Sequence, residues 1–159
     1  MKKSTLRIRF VRLNDFGVHL LVKAKINGKA ANMLIDTGAS NTVFDKTRIS
    51  LFLPKETLKA YEKLSTGLGT SSMKSESAMI RKLEFGDLVI VGYKAVILDL
   101  SHVNHSYKSM KMKPIDGVLG GDILKSYAAV IDYGKKTLLI VDPAVAKEKK
   151  KSSGKKKKR

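Results

Sequence analysis

The residues best suited to chemistry stand in one run, Asp36-Thr37-Gly38, directly after the apolar residues Met33-Leu34-Ile35. A carboxylate can act as a general base, and two carboxylates that share one proton can supply both a base and an acid. Apolar residues before the acid predict that it lies inside the fold, where an ionised carboxylate is costly unless another group shares its charge or proton. A buried partner for Asp36 is one prediction. The alternative is an ordinary strand-to-turn junction, in which the aspartate hydrogen-bonds its own loop.

Two further segments accompany this motif. Residues 115–124 read Ile-Asp-Gly-Val-Leu-Gly-Gly-Asp-Ile-Leu, and the small, glycine-rich residues 65–72 lie between them and Asp36. Over roughly residues 18–141 the chain resembles the retropepsin-like (clan AA) aspartic proteases of the cellular type. The resemblance implies a mainly β fold, a retropepsin-like acid-protease half-barrel with one or two short helices, active as a two-fold dimer.

The resemblance also implies roles for particular residues. Asp36 would be catalytic, Thr37 would bond across the dimer axis, and Gly38 would let backbone approach the substrate closely. Two sets of residues would line the bound peptide, the second as a flexible flap: Ala39 and Ser40, then Gly67, Leu68, Gly69 and Thr70. A structural motif beneath the site would comprise Val118, Leu119 and Gly120. The reaction needs no metal or organic cofactor, and we expect neither.

A single chain offers one suitable aspartate. Asp99, Asp116, Asp122 and Asp132 lack the following hydroxyl residue and glycine, and 159 residues are too few for the two lobes of a pepsin-like enzyme. The sequence therefore predicts a homodimer, in which Asp36 of each copy meets the other and repulsion keeps one proton on the pair. We expect an aspartic endopeptidase that cleaves extended polypeptides at acidic to neutral pH, with pockets for alternate side chains.

The motifs depart from viral members of the family at two points. Those proteins commonly carry an acid soon after Asp-Thr-Gly-Ala and an arginine after the second glycine motif, whereas Ser40-Asn41 and Gly121-Asp122 stand here. The acid and the arginine form an ion pair in those proteins, and both residues are missing here. Viral dimer contacts should therefore not be transferred in detail.

Alternating apolar residues predict strands that position the motif. Asn27-Gly28 favours a two-residue hairpin turn between two of these strands, and Asp45 suggests the cap of a short helix over Lys46–Leu53. Gly92 is expected to turn the chain, and residues 101–113 show no clear period. The other elements predicted are strands over Leu6–Leu13, Val18–Ile26, Lys29–Ile35, Met73–Phe85, Leu88–Val91, Ala95–Leu100, Ala128–Asp132 and Thr137–Val141, and a helix over Asp122–Tyr127.

The formal charge of +18 is uneven along the chain. Residues 147–159 hold nine of the 32 basic residues and one of the 14 acidic ones, a net +8, so the remaining 146 residues carry +10. We expect a protease domain over residues 1–143 and a lysine-rich disordered tail over residues 144–159, which could contact nucleic acid or another polyanion weakly. Cysteine is absent, and His102 and His105 lack further ligands nearby, which argues against zinc.

No stretch is apolar enough for a membrane span, and the N-terminal residues alternate instead of forming a signal peptide. A cytoplasmic protein without membrane contact is the expectation. Two other functions remain open from the sequence alone: a dimer of the same fold that binds peptides or proteins without cleaving them, and a basic scaffold associated with nucleic acid. The substrate, its cleavage preference and the dimer affinity cannot be read from these residues.

Overall fold

A computed structural model of the protein describes residues 3–13, 17–59 and 76–143. The mainly β fold expected from the sequence is confirmed. The strands are β1 (Lys3–Arg7), β2 (Arg9–Arg12), β3 (Val18–Ile26), β4 (Lys29–Ile35), β5 (Val43–Asp45), β6 (Glu76–Phe85), β7 (Leu88–Leu98), β8 (Gly117–Leu119), β9 (Val130–Asp132) and β10 (Thr137–Val141).

Helices are few and short. Residues 55–59 are helical (α1), and α2 (Ser101–Ser109) and α3 (Gly121–Ser126) follow. The sequence predicted α3 one residue later, over Asp122–Tyr127. None of the helices in the described part of the chain has the length and apolar content that crossing a membrane requires.

Six strands close into a barrel. Their order is β3, β4, β8, β5, β7, β6, and antiparallel pairing of β6 with β3 joins the two ends of the sheet. β4 and β8 run parallel, as do β5 and β7. β2 extends the sheet beside β3, and β1, β10 and β9 form a separate three-stranded sheet. Barrel closure removes most free strand edges, which would otherwise be sites of aggregation.

The hairpin that leads to Asp36 forms as predicted. Ile26 pairs with Lys29, so that Asn27 and Gly28 alone make the turn, and both have positive φ, 50° and 84°. Two positive φ values define the turn whose twist matches that of paired strands, and asparagine and glycine tolerate this conformation best. Local sequence therefore fixes the register of β4.

The single strand predicted over Leu6–Leu13 is two strands in different sheets. The chain changes sheet at Ile8, which is 1% exposed and whose N–H donates to the Lys136 carbonyl at 2.8 Å. Apolar and polar residues continue to alternate through Ile8, so the sequence pattern does not reveal that the chain changes sheet there. The prediction failed because partners distant in sequence, β10 and β3, decide where each half pairs.

Two apolar clusters hold the fold together. The larger fills the barrel, with Met33, Phe44 and Ile80 fully buried. The smaller lies between the outer face of the sheet and α2, where Tyr107 is 0% exposed. The sequence missed α2 because its apolar residues that face the sheet, Val103 and Tyr107, are a single i, i+4 pair among polar residues.

Asp45 does not cap a helix. It ends β5 with 0% exposure, and its carboxylate accepts from the Leu100 N–H at 2.9 Å, Thr47 Oγ1 at 2.5 Å and Asn104 Nδ2 at 3.3 Å. The predicted helix over Lys46–Leu53 reduces to a 3-10 turn at Ile49–Leu51. The buried Asp45 carboxylate satisfies a backbone N–H that needs an acceptor. This hydrogen bond stabilises the fold more than capping a local helix would.

Gly92 likewise does not turn the chain. β7 continues through it, and Tyr93 pairs with Ile80 on one side while Val91 pairs with Lys82 on the other. The register is the same on both sides, and Gly92 has a φ of +66°. Glycine therefore kinks the long hairpin without interrupting it.

We predict that Asp45→Ala lowers the free energy of unfolding by about 3 kcal/mol, because it leaves a buried backbone N–H and two side-chain donors without their acceptor. Equilibrium urea unfolding at a fixed protein concentration measures the change. Asp87→Ala, at an exposed turn position, is the control and should stay within about 0.5 kcal/mol of the parent. Equal urea midpoints for Asp45→Ala and the parent would contradict this role for Asp45.

Candidate active site

Asp36 follows the last residue of β4, at the end of a strand inside the barrel sheet. Its neighbour β8 runs parallel, with Leu34 opposite Val118 and Ile35 opposite Leu119. The Asp36 N–H continues the ladder by donating to the Leu119 carbonyl at 3.0 Å. The backbone of the aspartate is therefore fixed by the second glycine motif, whose Leu119 lies 83 residues further along the sequence.

The loop after Asp36 turns the chain outward. The Gly38 N–H donates to Asp36 Oδ1 at 2.9 Å, and the Ala39 N–H donates to the Asp36 carbonyl at 3.3 Å. A Cβ at residue 38 would lie 3.3 Å from Asp36 Oδ1, tighter than ordinary contact. Glycine at this position therefore leaves space around the carboxylate that any side chain would narrow.

The expectation that Asp36 is buried is wrong for the single chain. Asp36, Thr37 and Gly38 are all exposed, and Ala39 is half-buried. The apolar residues that suggested burial belong to β4, and the chain leaves the barrel immediately after them. The carboxylate of one chain is thus open to a second molecule.

Backbone hydrogen bonds tie the loop to the start of α3. The Gly121 N–H donates to the Ala39 carbonyl at 2.7 Å, and the Asp122 N–H donates to the Ser40 carbonyl at 3.1 Å. Both donors belong to the first turn of α3, where N–H groups have no partner within the helix. The loop satisfies these donors and is held in return.

Thr42 and Asp122 make the tightest connection between the two segments. The Thr42 N–H and its hydroxyl both donate to Asp122 Oδ1 at 2.7 Å. The same hydroxyl accepts from the Gly120 N–H at 2.9 Å, and the Tyr93 hydroxyl donates to Asp122 Oδ2 at 2.7 Å. Thr42 is 0% exposed. One carboxylate therefore fixes the end of the Asp36 loop to α3 and β7.

Gly120 allows this close approach. A Cβ there would lie 2.5 Å from the backbone carbon and oxygen of Asn41 and 2.9 Å from the Thr42 nitrogen. Real Cβ atoms essentially never come within 3.0 Å of such neighbours, and backbone cannot move aside cheaply. The second glycine of the motif Val118-Leu119-Gly120-Gly121 is less constrained, with 3.3 Å to the Ala39 carbonyl oxygen.

The electrostatics of Asp122 suit an anchor. Burial alone would raise its pKa, but hydrogen bonds from Tyr93, Thr42 and backbone N–H groups outweigh burial and hold the pKa below its usual value. The Tyr93 pKa is raised, first by burial and then by its bond to Asp122. Asp122 is consequently ionised and Tyr93 is protonated at neutral pH.

A cavity of about 300 Å³ adjoins Asp36 and Thr37. If the pairing of β3 with β4 is continued two residues beyond the pair Leu21 and Leu34, His19 lies opposite Asp36. Its Nδ1 lies 2.8 Å from the buried Tyr107 hydroxyl. The lining comprises Val18, His19, Leu20, Leu34, Ile35, Asp36, Thr37, Ile131 and Tyr133.

His19 is the titratable neighbour of Asp36 in this cavity. Burial lowers its pKa, and the negative charge of Asp36 partly opposes that shift. Burial raises the Tyr107 pKa to about 12, so the phenol stays protonated beside the imidazole. His19 is therefore largely uncharged at neutral pH and has a fixed ring position.

The predicted site residues fall into three groups. Asp36 and Thr37 line the cavity, and Val118, Leu119 and Gly120 lie beside them in β8 and at its end. Ala39 and Ser40 use their carbonyls to hold α3, and their predicted contact with substrate stays a prediction. Gly67, Leu68, Gly69 and Thr70 of the predicted flap lie outside the described residues.

Sequence reasoning missed Thr42, Tyr93 and His19. Thr42 and Asp122 are 80 positions apart, and no local pattern connects them. His19 carried a weak signal, since the hairpin register that Asn27-Gly28 fixes already sets it opposite Asp36. Asp122 was noted as a departure because it stands where viral members commonly carry an arginine, and in this structure its carboxylate accepts from the Thr42 hydroxyl.

The arrangement presents a carboxylate at the end of an inner barrel strand, on a loop that is tied to a parallel strand and a short helix. The chain belongs to the aspartyl protease family, because the family model described as aspartyl protease matches residues 22–123, more than half of the chain. The family prediction made from Asp36-Thr37-Gly38 and Val118-Leu119-Gly120 is confirmed.

Two solved structures are similar to this one. A retropepsin-like aspartic protease from Rickettsia conorii is 17% identical, with a TM-score of 0.48 over 87% of this chain and 90% of that one. The retroviral protease-like domain of Ddi1 from Leishmania major is 18% identical, with a TM-score of 0.49 over 77% of this chain and 87% of that one. No curated protein matches the sequence significantly.

We predict that Asp122→Asn lowers the free energy of unfolding by about 1–2 kcal/mol at pH 7, because the neutral amide accepts more weakly from Thr42 and Tyr93. The pKa of Asp122 is depressed by folding, so its contribution is complete above the unfolded pKa and is lost as pH falls through the folded pKa. The difference between parent and variant should therefore shrink below about pH 4. Urea unfolding between pH 7 and pH 3 measures it.

Asp87→Asn, at an exposed turn position, is the matched control and should track the parent at each pH. A stability difference for Asp122→Asn that is constant with pH would contradict the ionised anchor.

Proposed function

We propose that the protein is an aspartic endopeptidase that hydrolyses peptide bonds in extended polypeptides through a dyad formed across a homodimer. The observation that carries the proposal is the exposed carboxylate of Asp36 on a rigidly anchored loop, one per chain. Among the described residues around the cavity, no second carboxylate is present. Hydrolysis by this chemistry requires two carboxylates that share a proton, so a second copy must supply the other.

The surface around Asp36 supports pairing of two copies. Val18 and Tyr133 line the Asp36 cavity while remaining 43% and 62% exposed. Large apolar side chains beside a charged group are costly to leave in water, and contact with a second copy would cover them. An isologous interface would place the two Asp36 loops against each other.

The reaction follows from two carboxylates in different protonation states. The ionised Asp36 removes a proton from water while the water oxygen attacks the scissile carbonyl carbon, and the protonated Asp36 of the partner donates to the carbonyl oxygen. A tetrahedral diol results. In the second step one hydroxyl of the diol gives its proton to the ionised carboxylate, the C–N bond breaks to leave a carboxylic acid, and the amine nitrogen takes up the proton that the other carboxylate holds. Water is consumed and the dyad regains its single shared proton.

Other functions would leave different traces. A dimer that binds peptides without cleaving them would have the same fold and loop, and only turnover distinguishes it. A cytoplasmic location stays a prediction. Weak polyanion binding by residues 147–159 also stays a prediction, since the tail lies outside the described residues.

We predict that the parent protein cuts peptides in a diverse mixture at acidic to neutral pH and that Asp36→Asn abolishes the cuts. The amide keeps the shape of the loop but cannot take a proton from water, and it removes charge repulsion between copies, so folding should be preserved. Mass spectrometry maps the cut sites, and circular dichroism checks the fold. Pepstatin-like inhibitors should suppress the same cuts.

Asp99→Asn is the control, at an exposed carboxylate with its own serine partner, and should cut as the parent does. Cleavage by Asp36→Asn at a substantial fraction of the parental rate would refute the assignment of Asp36. Absence of cuts by the parent at every pH would favour the binding dimer.

A further inference from the structure

A gap in the barrel wall opens along one edge of β3. One edge of this strand pairs with β4 from Leu21 to Ile26. The opposite edge pairs with β2 up to Leu21 and with β6 from Lys25 onward. The three residues between, 22–24, have no strand partner on that side within the described part of the chain, because the chain turns away into β1 at Ile8. About 10 Å of strand edge is left uncovered.

A cleft of about 480 Å³ occupies the gap. Its lining shares no residue with the Asp36 cavity. Apolar side chains contribute to the lining, including Ile8, Leu21 and Val22, all of them buried. Cationic side chains, all exposed, surround them: Arg7, Arg9, Lys23 and Lys136.

These four cations are not neutralised by neighbours. In residues 3–13, 17–59 and 76–143, the ion pairs formed by lysine and arginine involve other residues. Lys23 Nζ donates to the Asn32 side chain, and Lys136 Nζ lies 5.3 Å from the centre of the Phe10 ring. Asp116, which accepts from the Asn32 N–H, is already paired with Arg48 and only 4% exposed. The concentrated positive charge beside apolar surface therefore favours binding of an anionic, partly apolar ligand.

The cleft lies close to the proposed catalytic group. Asn32 belongs to its lining and precedes Asp36 by four residues on one continuous line of chain, about 13 Å in extended geometry. A polypeptide of about four residues spans that distance. A substrate bound at Asp36 can therefore reach the cleft with residues that flank its scissile bond.

We infer that the cleft is a second substrate-binding site, which takes an acidic, extended peptide segment lying a few residues from the scissile bond. The unpaired edge of β3 offers the N–H and carbonyl of Lys23 to an added strand, an apolar side chain would contact the half-buried Phe10, and carboxylates would meet Arg9 and Lys136. A nucleic acid has no backbone that complements a strand edge. The inference rests on the proposed endopeptidase function and gives it a substrate class, polypeptides with acidic flanking segments.

The test uses binding, so that it does not depend on turnover. Full-length Asp36→Asn protein is titrated against fluorescein-labelled Glu-Val-Glu-Val-Glu and against Gln-Val-Gln-Val-Gln at about 50 mM salt, and anisotropy is measured. The double change Arg9→Gln with Lys136→Asn should weaken binding of the acidic peptide about tenfold, as expected for two partly exposed ion pairs. Asparagine is chosen at residue 136 because its φ is 55°.

A matched control removes two exposed lysines outside the cleft, Lys94→Gln with Lys125→Gln. It lowers the net charge equally and should change the affinity by less than about twofold. Hydrogen exchange locates the peptide directly on the unaltered cleft: of residues 22–24, Lys23 is the one whose amide faces the gap, and this amide should gain protection with the acidic peptide and not with the glutamine peptide. This readout is independent of the lysine-rich tail and of the folding of any variant in the cleft.

Three results would overturn the inference: equal losses of affinity in the cleft and control variants, unchanged exchange at the Lys23 amide, or stronger protection there by pentathymidylate than by the acidic peptide. The last would assign the cleft to nucleic acid. If the acidic peptide binds in the cleft but the parent protein cuts no peptide, the endopeptidase function alone is refuted. If the parent protein cuts peptides but the acidic peptide does not bind in the cleft, the cleft inference alone is refuted.

Discussion

The geometry of the site depends on the hydrogen bonds that join Thr42 to Asp122. Asp36 leaves the barrel at the end of β4, and the residues after it have no regular structure of their own. The Asp122 carboxylate accepts from both the backbone and the side chain of Thr42, while Gly120 brings the two backbones close enough for this contact. These bonds convert a flexible strand-to-turn junction into a fixed loop. A carboxylate must be held in this way to meet a symmetric copy of itself in a reproducible geometry.

Much of this arrangement follows from local sequence, because hairpin turns and strand alternation are decided by neighbouring residues. Asn27-Gly28 sets the register that carries Asp36 to the end of β4. The features that sequence could not predict depend on residues far apart in the chain. Asp45 satisfies a backbone N–H 55 positions away, Ile8 divides one alternating segment between two sheets, and α2 has too narrow an apolar face to be recognised without the sheet it covers. The anchor at Thr42 belongs with these long-range contacts.

Charge distinguishes the two ends of β3. Near its start, His19 lies opposite Asp36, and because burial lowers the imidazole pKa the histidine adds little positive charge to that cavity at neutral pH. Further along the same strand, Lys23 joins Arg7, Arg9 and Lys136 around an uncovered edge. If the proposed function and the inferred cleft both hold, a strand that contributes to the two sites would give a bound polypeptide a direction and a preferred composition. The excess of positive charge on the body of the protein, +10 outside residues 147–159, would also raise the rate at which acidic partners arrive.

The central claim is that two copies of Asp36 form one catalytic dyad, and mixing parent chains with Asp36→Asn chains tests it most directly. Subunits are exchanged under dissociating conditions, and the initial rate of peptide cleavage is measured at a constant amount of parent protein. If two carboxylates are required, excess variant draws parent chains into dimers with one acid, and activity falls towards zero; sedimentation should show the mass of two chains. Activity that is unchanged by the variant, in a species with the mass of one chain, would contradict the dyad.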